Sequence, residues 1–187
     1  MAQTPIKPLT LEAFLQLPET KPASEYIDGR VHQKPMPKGR HSALQAELTA
    51  LINAAVKPTK IARALTELRC TFGGSSIVPD IAVVSWERIP RNEQGEIADT
   101  FPLAPDWTIE ILSPRQGTTK VTKKILRCLK HGTEMGWLID ATDKSVFVYR
   151  AQQEIEVLDE PAAILPMPSC AGELSMTVKD LFNILLM

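Results

Sequence analysis

Aromatic residues are scarce, at 5% of the 187-residue chain. That leaves little material for the stacking platforms on which single-stranded nucleic acids are held. Cysteine is scarcer still: Cys70, Cys128 and Cys170 are odd in number and far apart, and none belongs to a CxxC pair. This argues against a disulfide framework and a structural zinc site, and makes a reducing cytoplasm the expected location. Charge of one sign is also missing. The formal net charge of -1 supplies no overall basic field for nucleic acid or membrane, although a local patch is compatible with it. Long hydrophobic runs are absent as well. "MAQTPIKPLTLEAFLQLPE" holds no stretch of the length that a signal peptide or a membrane span needs, and no membrane association is expected. No internal repeat and no low-complexity tract occurs.

What is present is ordinary for a globular domain: 44% hydrophobic and 23% charged residues, in a chain long enough for one real core. Thr10 is positioned to cap a short helix ending before Pro18. In "SEYIDGRVHQKPMP" the Asp28-Gly29 pair marks a hairpin turn. "HSALQAELTALINAAV" is an amphipathic helix, with Leu44, Leu48, Leu51, Ile52 and Ala55 at helical spacing. "IARALTELRCTF", "IVPDIAVVSW" and "WTIEILSP" read as three strands, the last two separated by a polar, proline-bearing loop. "KVTKKILRCLKHG" reads as a helix closed by Gly132. "EMGWLID", "KSVFVYRA" and "EIEVLD" read as strands, and "VKDLFNILL" as a final helix. The order predicts an α/β or α+β architecture with one mixed sheet and helices on its faces, as a single domain over residues 1–187.

Two of these strands carry an acid where an apolar residue is expected. In "VPDIAVV" the alternation puts Asp80 on the face of Val78, Ala82 and Val84. In "WTIEIL" it puts Glu110 with Thr108 and Leu112, opposite Trp107, Ile109 and Ile111. An unpaired buried carboxylate costs several kcal/mol, on the order of 2–7 for a polar group and more for a charge, so both acids call for partners. One reading is structural: Asp80 at a strand start beside Pro79, and Glu110 in an ion pair. The other brings both acids to one face at similar height, where their repulsion is relieved by a divalent cation. On a helical wheel Lys124 lies next to the apolar stripe of Val121, Ile125, Cys128 and Leu129, nearest the core of its helix's cations. It is either a snorkelling side chain or a cation aimed at what the carboxylates hold. Two acids, a metal and a lysine can bind a phosphodiester, orient water and stabilise the charge that develops.

These residues resemble the PD-(D/E)xK nuclease superfamily. The ordered set "SEYIDGR", a helix opening at His41, "VPDIAVV", "IEILSP", a lysine-bearing helix ending in "HG", and "WLID" is similar to the Uma family of bacterial endonuclease-like proteins, from about Leu9 to the last helix. The resemblance implies a restriction-endonuclease-like fold, with a central mixed sheet flanked by helices and an N-terminal helix and hairpin. It implies a metal-dependent DNA endonuclease, or a catalytically weak or inactive nucleic-acid-binding module of the same fold. Asp80 matches the acid of the PD motif and Glu110 that of the (D/E)xK motif, both as Mg²⁺ or Mn²⁺ ligands with the Ile111 carbonyl. The superfamily's lysine position holds Leu112, and the family's helix-borne lysine matches Lys124. Glu25 matches an N-terminal acid that would bind metal or orient water. His41 matches a family position too, as an element that fixes the hairpin or takes part in the site. Gly136 stands where a tyrosine is common. No organic cofactor is implied, and a homodimer is expected because duplex cleavage needs two active sites.

Ser113, which invites a nucleophile reading, has no paired His and Asp following it and is assigned to the turn into the next helix.

Overall fold

The computed structural model describes residues 9–114 and 116–186. The signal-peptide reading falls partly on residues 1–8, outside this range. Four helices, α1 (Leu11–Leu15), α2 (Gly39–Val56), α3 (Thr118–Lys130) and α4 (Val178–Asn183), accompany ten strands in two sheets. Among the described residues no helix is long and apolar enough to cross a membrane.

The larger sheet has six strands: β10 (Glu156–Leu158), β9 (Ser145–Arg150), β8 (Met135–Asp140), β7 (Trp107–Ile111), β6 (Ile81–Ser85) and β3 (Ala62–Thr66), in that spatial order. Only β7 and β8 run parallel. A parallel pair needs a crossover, and α3 supplies it. One face of this sheet packs on α2 and α4 through Leu44, Leu48, Ile52, Trp107, Ile109, Trp137, Leu181 and their neighbours. The opposite face packs on α3 through Val121, Ile125, Leu129, Leu138 and Tyr149. Gly136 of β8 lies under α3. A Cβ there would meet Ile125 Cγ2 at 2.2 Å, so Ile125 fills the space that a larger residue at 136 would need.

The smaller sheet pairs β2 (Arg30–Gln33), β1 (Ser24–Ile27), β5 (Ser75–Ile77) and β4 (Cys70–Phe72), all antiparallel. Its presence corrects the single-sheet reading. "IARALTELRCTF" is two strands, β3 and β4, and "IVPDIAVVSW" is likewise two, β5 and β6. The chain leaves the large sheet after Thr66, makes the β4–β5 hairpin in the small one, and returns at Ile81. The exit passes Glu67, whose φ of +50° lies in the left-handed region. The return passes Pro79, which has no N–H to give a ladder. The two crossings are stitched together, since the Glu67 N–H donates to Asp80 O at 3.2 Å. Apolar periodicity ran unbroken through both crossings, so nothing in the pattern marked them.

Candidate active site

The break between β5 and β6 is where the buried polar groups converge. Glu25, Asp80, Glu110 and Lys124 are 7%, 2%, 3% and 5% exposed, and each comes from a different element. Asp80 precedes β6, and Glu110 is the fourth residue of β7. The ladder pairs Ile81 with Ile109, and continuing it by one residue sets Asp80 opposite Glu110. Both acids therefore lie on the α3 side of the sheet, as alternation predicts. Lys124 sits on the inner face of α3, beside Val121, Ile125 and Cys128, which are all buried. Glu25 enters from β1 of the small sheet.

The contacts are specific. Lys124 Nζ lies 2.8 Å from Glu110 Oε2 and 2.9 Å from Glu25 Oε1. Glu25 Oε1 also accepts the Val78 N–H at 2.8 Å. Asp80 Oδ2 accepts the Ile111 N–H at 2.7 Å, which ties the acid to the neighbouring strand beside the Ile111 carbonyl. Asp80 Oδ1 faces two cationic or polar groups: Lys34 Nζ at 2.7 Å and His41 Nε2 at 3.4 Å. Lys34 also donates to Glu67 Oε1 at 2.8 Å and to Val78 O at 2.9 Å. Gln45 Nε2 donates to Glu67 Oε1 at 3.1 Å and to Asp80 O at 2.8 Å.

Burial and charge pull on these groups in opposite directions. Burial alone would raise Asp80, but the His41 hydrogen bond, the Lys34 ammonium and Lys124 together hold it well below the usual carboxylate range. Glu110 goes the other way: burial pushes it up to about 8, against the pull of Lys124 and with the help of the Asp80 charge. Burial would lower Lys124 and Lys34. Glu110, Glu25 and Asp80 outweigh it for Lys124, and Asp80 chiefly does so for Lys34, so both ammonium groups are held protonated.

Glu110 Oε1 is a fully buried acceptor with no partner among the described residues. Among the described residues, three buried carboxylates (Glu25, Asp80, Glu110) face two ammonium groups, the buried Lys124 and the half-buried Lys34, with the His41 imidazole also on Asp80. This leaves one negative charge among the carboxylates and ammonium groups to be met. A proton on Glu110 or a cation at Oε1 would meet it. Among the described residues no three His, Cys, Asp or Glu side chains converge as a metal cage. A hard cation that keeps water and takes substrate oxygen needs only one or two carboxylates, so the residues fit that type of seat.

Glu25, Lys34 and Lys124 line a groove of about 970 Å³ between the β1–β2 hairpin and α3, and Asp80 and Glu110 lie buried outside its lining, in contact with these two lysines. Arg30, Lys34, Lys120, Lys123, Lys124 and Arg127 line the groove, against the acids Glu25 and Asp28. Arg127 pairs with Asp28 across it and fastens the hairpin turn to α3. A smaller cavity of about 130 Å³ beside α1 is lined by Phe14, Leu15 and Arg69, among others, and shares none of the site residues.

The structure thus brings together Asp80, Glu110, Lys124 and Glu25, places His41 against Asp80, and sets the Ile111 N–H, rather than its carbonyl, on Asp80. Lys34, Glu67 and Gln45 were missed. Lys34 was within reach: Glu25 pairs with His32 across the hairpin, and alternation puts Lys34 on the same face two residues on. Ser113 occupies the predicted turn, with Gln116 Oε1 accepting its N–H at 3.1 Å. It also has a partner that sequence order concealed, since its Oγ is 3.3 Å from His41 Nδ1. Ser113 is buried, and its contact with Nδ1 steadies the imidazole.

Comparison with known proteins bears on the family and the fold. The Uma2 family, described as "Putative restriction endonuclease", matches residues 11–179. A crystal structure of a "putative nuclease belonging to DUF820" from Anabaena variabilis is 65% identical, with a TM-score of 0.94 over 96% of this chain and 100% of that one. A DrdV–DNA complex is 13% identical over 65% of this chain and 10% of its own, with a TM-score of 0.41, too low to bear on fold or function. No curated protein matches. The chain belongs to the Uma2 family and has its restriction-endonuclease-like fold.

Proposed function

We propose that this Uma2 protein is a metal-dependent endonuclease that hydrolyses phosphodiester bonds of DNA. The observation that carries the reading is the buried Asp80–Glu110–Glu25–Lys124 cluster, which meets a groove lined by basic residues through Glu25 and Lys124. Phosphate neutralisation dominates nucleic-acid affinity, and six cations line one groove in a chain of net charge -1. The Anabaena relative is described as a "putative nuclease", which supports the same class of activity.

In this reading Asp80 and Glu110, together with the Ile111 carbonyl, would hold Mg²⁺ or Mn²⁺. That cation would neutralise phosphate charge and make water a better nucleophile at neutral pH. Lys124, fixed by Glu25 and Glu110, presents its ammonium to the scissile phosphate and stabilises the charge that grows on the phosphoryl oxygens. Glu25 holds Lys124 in place and offers a carboxylate oxygen to orient the attacking water. Water oxygen bonds to phosphorus as the bond to the leaving oxygen breaks, and the water's proton passes to solvent or to a carboxylate. Lys120, Lys123 and Arg30 hold flanking phosphates. We further propose a homodimer, with one site for each strand of a duplex, and a cytoplasmic location consistent with three buried free thiols.

Purified protein incubated with plasmid DNA should nick or cut it with Mg²⁺ or Mn²⁺ and leave it intact with EDTA. Undiminished cutting by Lys124→Ala or Asp80→Asn would sink the assignment.

One observation favours a second reading, a nucleic-acid-binding module that does not cut. Asp80 and Glu110 each already have an ammonium within 2.8 Å, an arrangement that holds together without metal. DNA binding that persists in EDTA, with no cleavage under any divalent cation, would select that reading.

A further inference from the structure

Lys34 follows the last residue of β2. Its backbone N–H donates to Ala23 O at 2.9 Å, so the stem of the side chain is anchored at the start of the hairpin. From there it reaches the break before β6. An ammonium has three protons, and Lys34 has three acceptors within 2.9 Å: Asp80 Oδ1, Glu67 Oε1 and Val78 O. The side chain is 10% exposed, yet it borders the groove.

Position matters more than satisfaction here. Asp80 Oδ2 is turned into the sheet, onto the Ile111 N–H. Oδ1 is the oxygen left to meet a metal, and Lys34 is seated on it at 2.7 Å, with His41 Nε2 farther off at 3.4 Å. Two cations on one carboxylate oxygen repel at short range in a buried setting. The pairing is also reversible at modest cost. The Glu67 side chain is 43% exposed, so Lys34 can leave Asp80 and keep a carboxylate partner.

Lys124 contrasts with it. It shares the Val78 carbonyl, at 3.5 Å, but is locked between two buried acids and has no exposed partner to move toward.

We infer that Lys34 is the resident counter-ion of Asp80, which a divalent cation must displace, so that Lys34 sets the affinity of the seat for metal. The inference rests on the proposed metal site. It makes Lys34 a positioning residue acting through Asp80.

The test is Mn²⁺ titration of the full chain at fixed pH and ionic strength, followed by electron paramagnetic resonance of free Mn²⁺. Wild type, Lys34→Gln and Lys34→Arg are compared. Lys34→Gln should bind Mn²⁺ tighter by about tenfold or more, as expected when a competing buried charge is removed. Lys34→Arg, which keeps the charge, should stay near wild type. A damaged fold does not produce tighter binding, so the gain separates this role from a structural one. Binding by Lys34→Gln alone would support the inference in its strongest form. Equal or weaker binding by Lys34→Gln, with wild type binding normally, would overturn it and leave the metal seat standing. Absence of binding by all three proteins at millimolar Mn²⁺ would overturn the metal site itself, and this inference with it.

Discussion

The two faces of the six-stranded sheet are built from the same strands and do opposite things. Trp107, Ile109 and Ile111 of β7 go into the apolar core under α2 and α4, where Trp107 and Trp137 meet edge to face with ring centroids 4.7 Å apart. Their alternate neighbours, Thr108 and Glu110, are as deeply buried on the α3 side, beside a lysine, a histidine-linked aspartate and an unpartnered carboxylate oxygen. Burial is equal on the two faces, and only the chemistry differs. The comparison teaches that burial here serves two ends: it removes apolar surface from water, under α2 and α4 and again around Ile125 and Leu138 under α3, and near Glu110 on the α3 face it also holds charges in a dry setting where they interact strongly and their ionisation shifts. Stability should therefore depend chiefly on the first face and activity on the second.

The sharpest way to break that division is Lys124→Ala. Loss of a group that stabilises developing charge costs about 10²–10³-fold in turnover, and metal-dependent DNA cleavage should fall by at least that much. Cleavage within tenfold of wild type would put the chemistry elsewhere. On the other face, Ile109→Ala should cost about 2–5 kcal/mol of unfolding free energy in urea. Mn²⁺ affinity of the folded fraction should be unchanged, and a parallel loss would show the two faces to be coupled.

The third expectation concerns pH. The Glu110 carboxyl is raised to about 8 by burial, so the folded protein binds a proton there that the unfolded chain releases near its ordinary value. Stability from this group is complete below about pH 4.5. It is lost as pH rises through 8, at no more than about 1.4 kcal/mol per pH unit. Metal-free Glu110→Gln should lack that slope in denaturation curves taken from pH 5 to 8, and an unaltered slope would assign it to another group. Asp80, held low by His41 and Lys34, works with the opposite sign. Its contribution is present above the ordinary aspartate range and is lost as pH falls below it.

The smallest effect is expected at the groove rim. Lys120→Ala and Lys123→Ala should each weaken DNA binding a few-fold and reduce the salt slope by about one unit. Unfolding midpoints should not move.

Much of this was legible in the residues. The Thr10 cap, the Asp28-Gly29 turn, α2, α3 with its buried Lys124, and the alternation within β7 all follow from short-range patterns that need no knowledge of neighbours. The two-sheet division was not legible. Residues 61–72 and 77–86 are continuously apolar enough to read as single strands, and the crossings at Glu67 and Pro79 are decided by what each half pairs with. Lys34 was passed over because a lysine before a proline at a hairpin end is usually solvated. Nothing local to it indicates an aspartate 46 residues later. His41 and Ser113 likewise meet across 72 positions.

By itself, then, the sequence determined the elements, the face on which each acid stands, and the lysine nearest them. Those are consequences of backbone periodicity, which is written locally. Only the tertiary structure decided that Asp80 and Glu110 lie opposite one another, that Lys34 sits on one and Lys124 on the other, and that Glu110 Oε1 is left without a partner. Those facts belong to pairing between distant segments and to the loss of water around them. Charge acquires its strength, and a carboxyl its altered ionisation, only when the chain has closed over it.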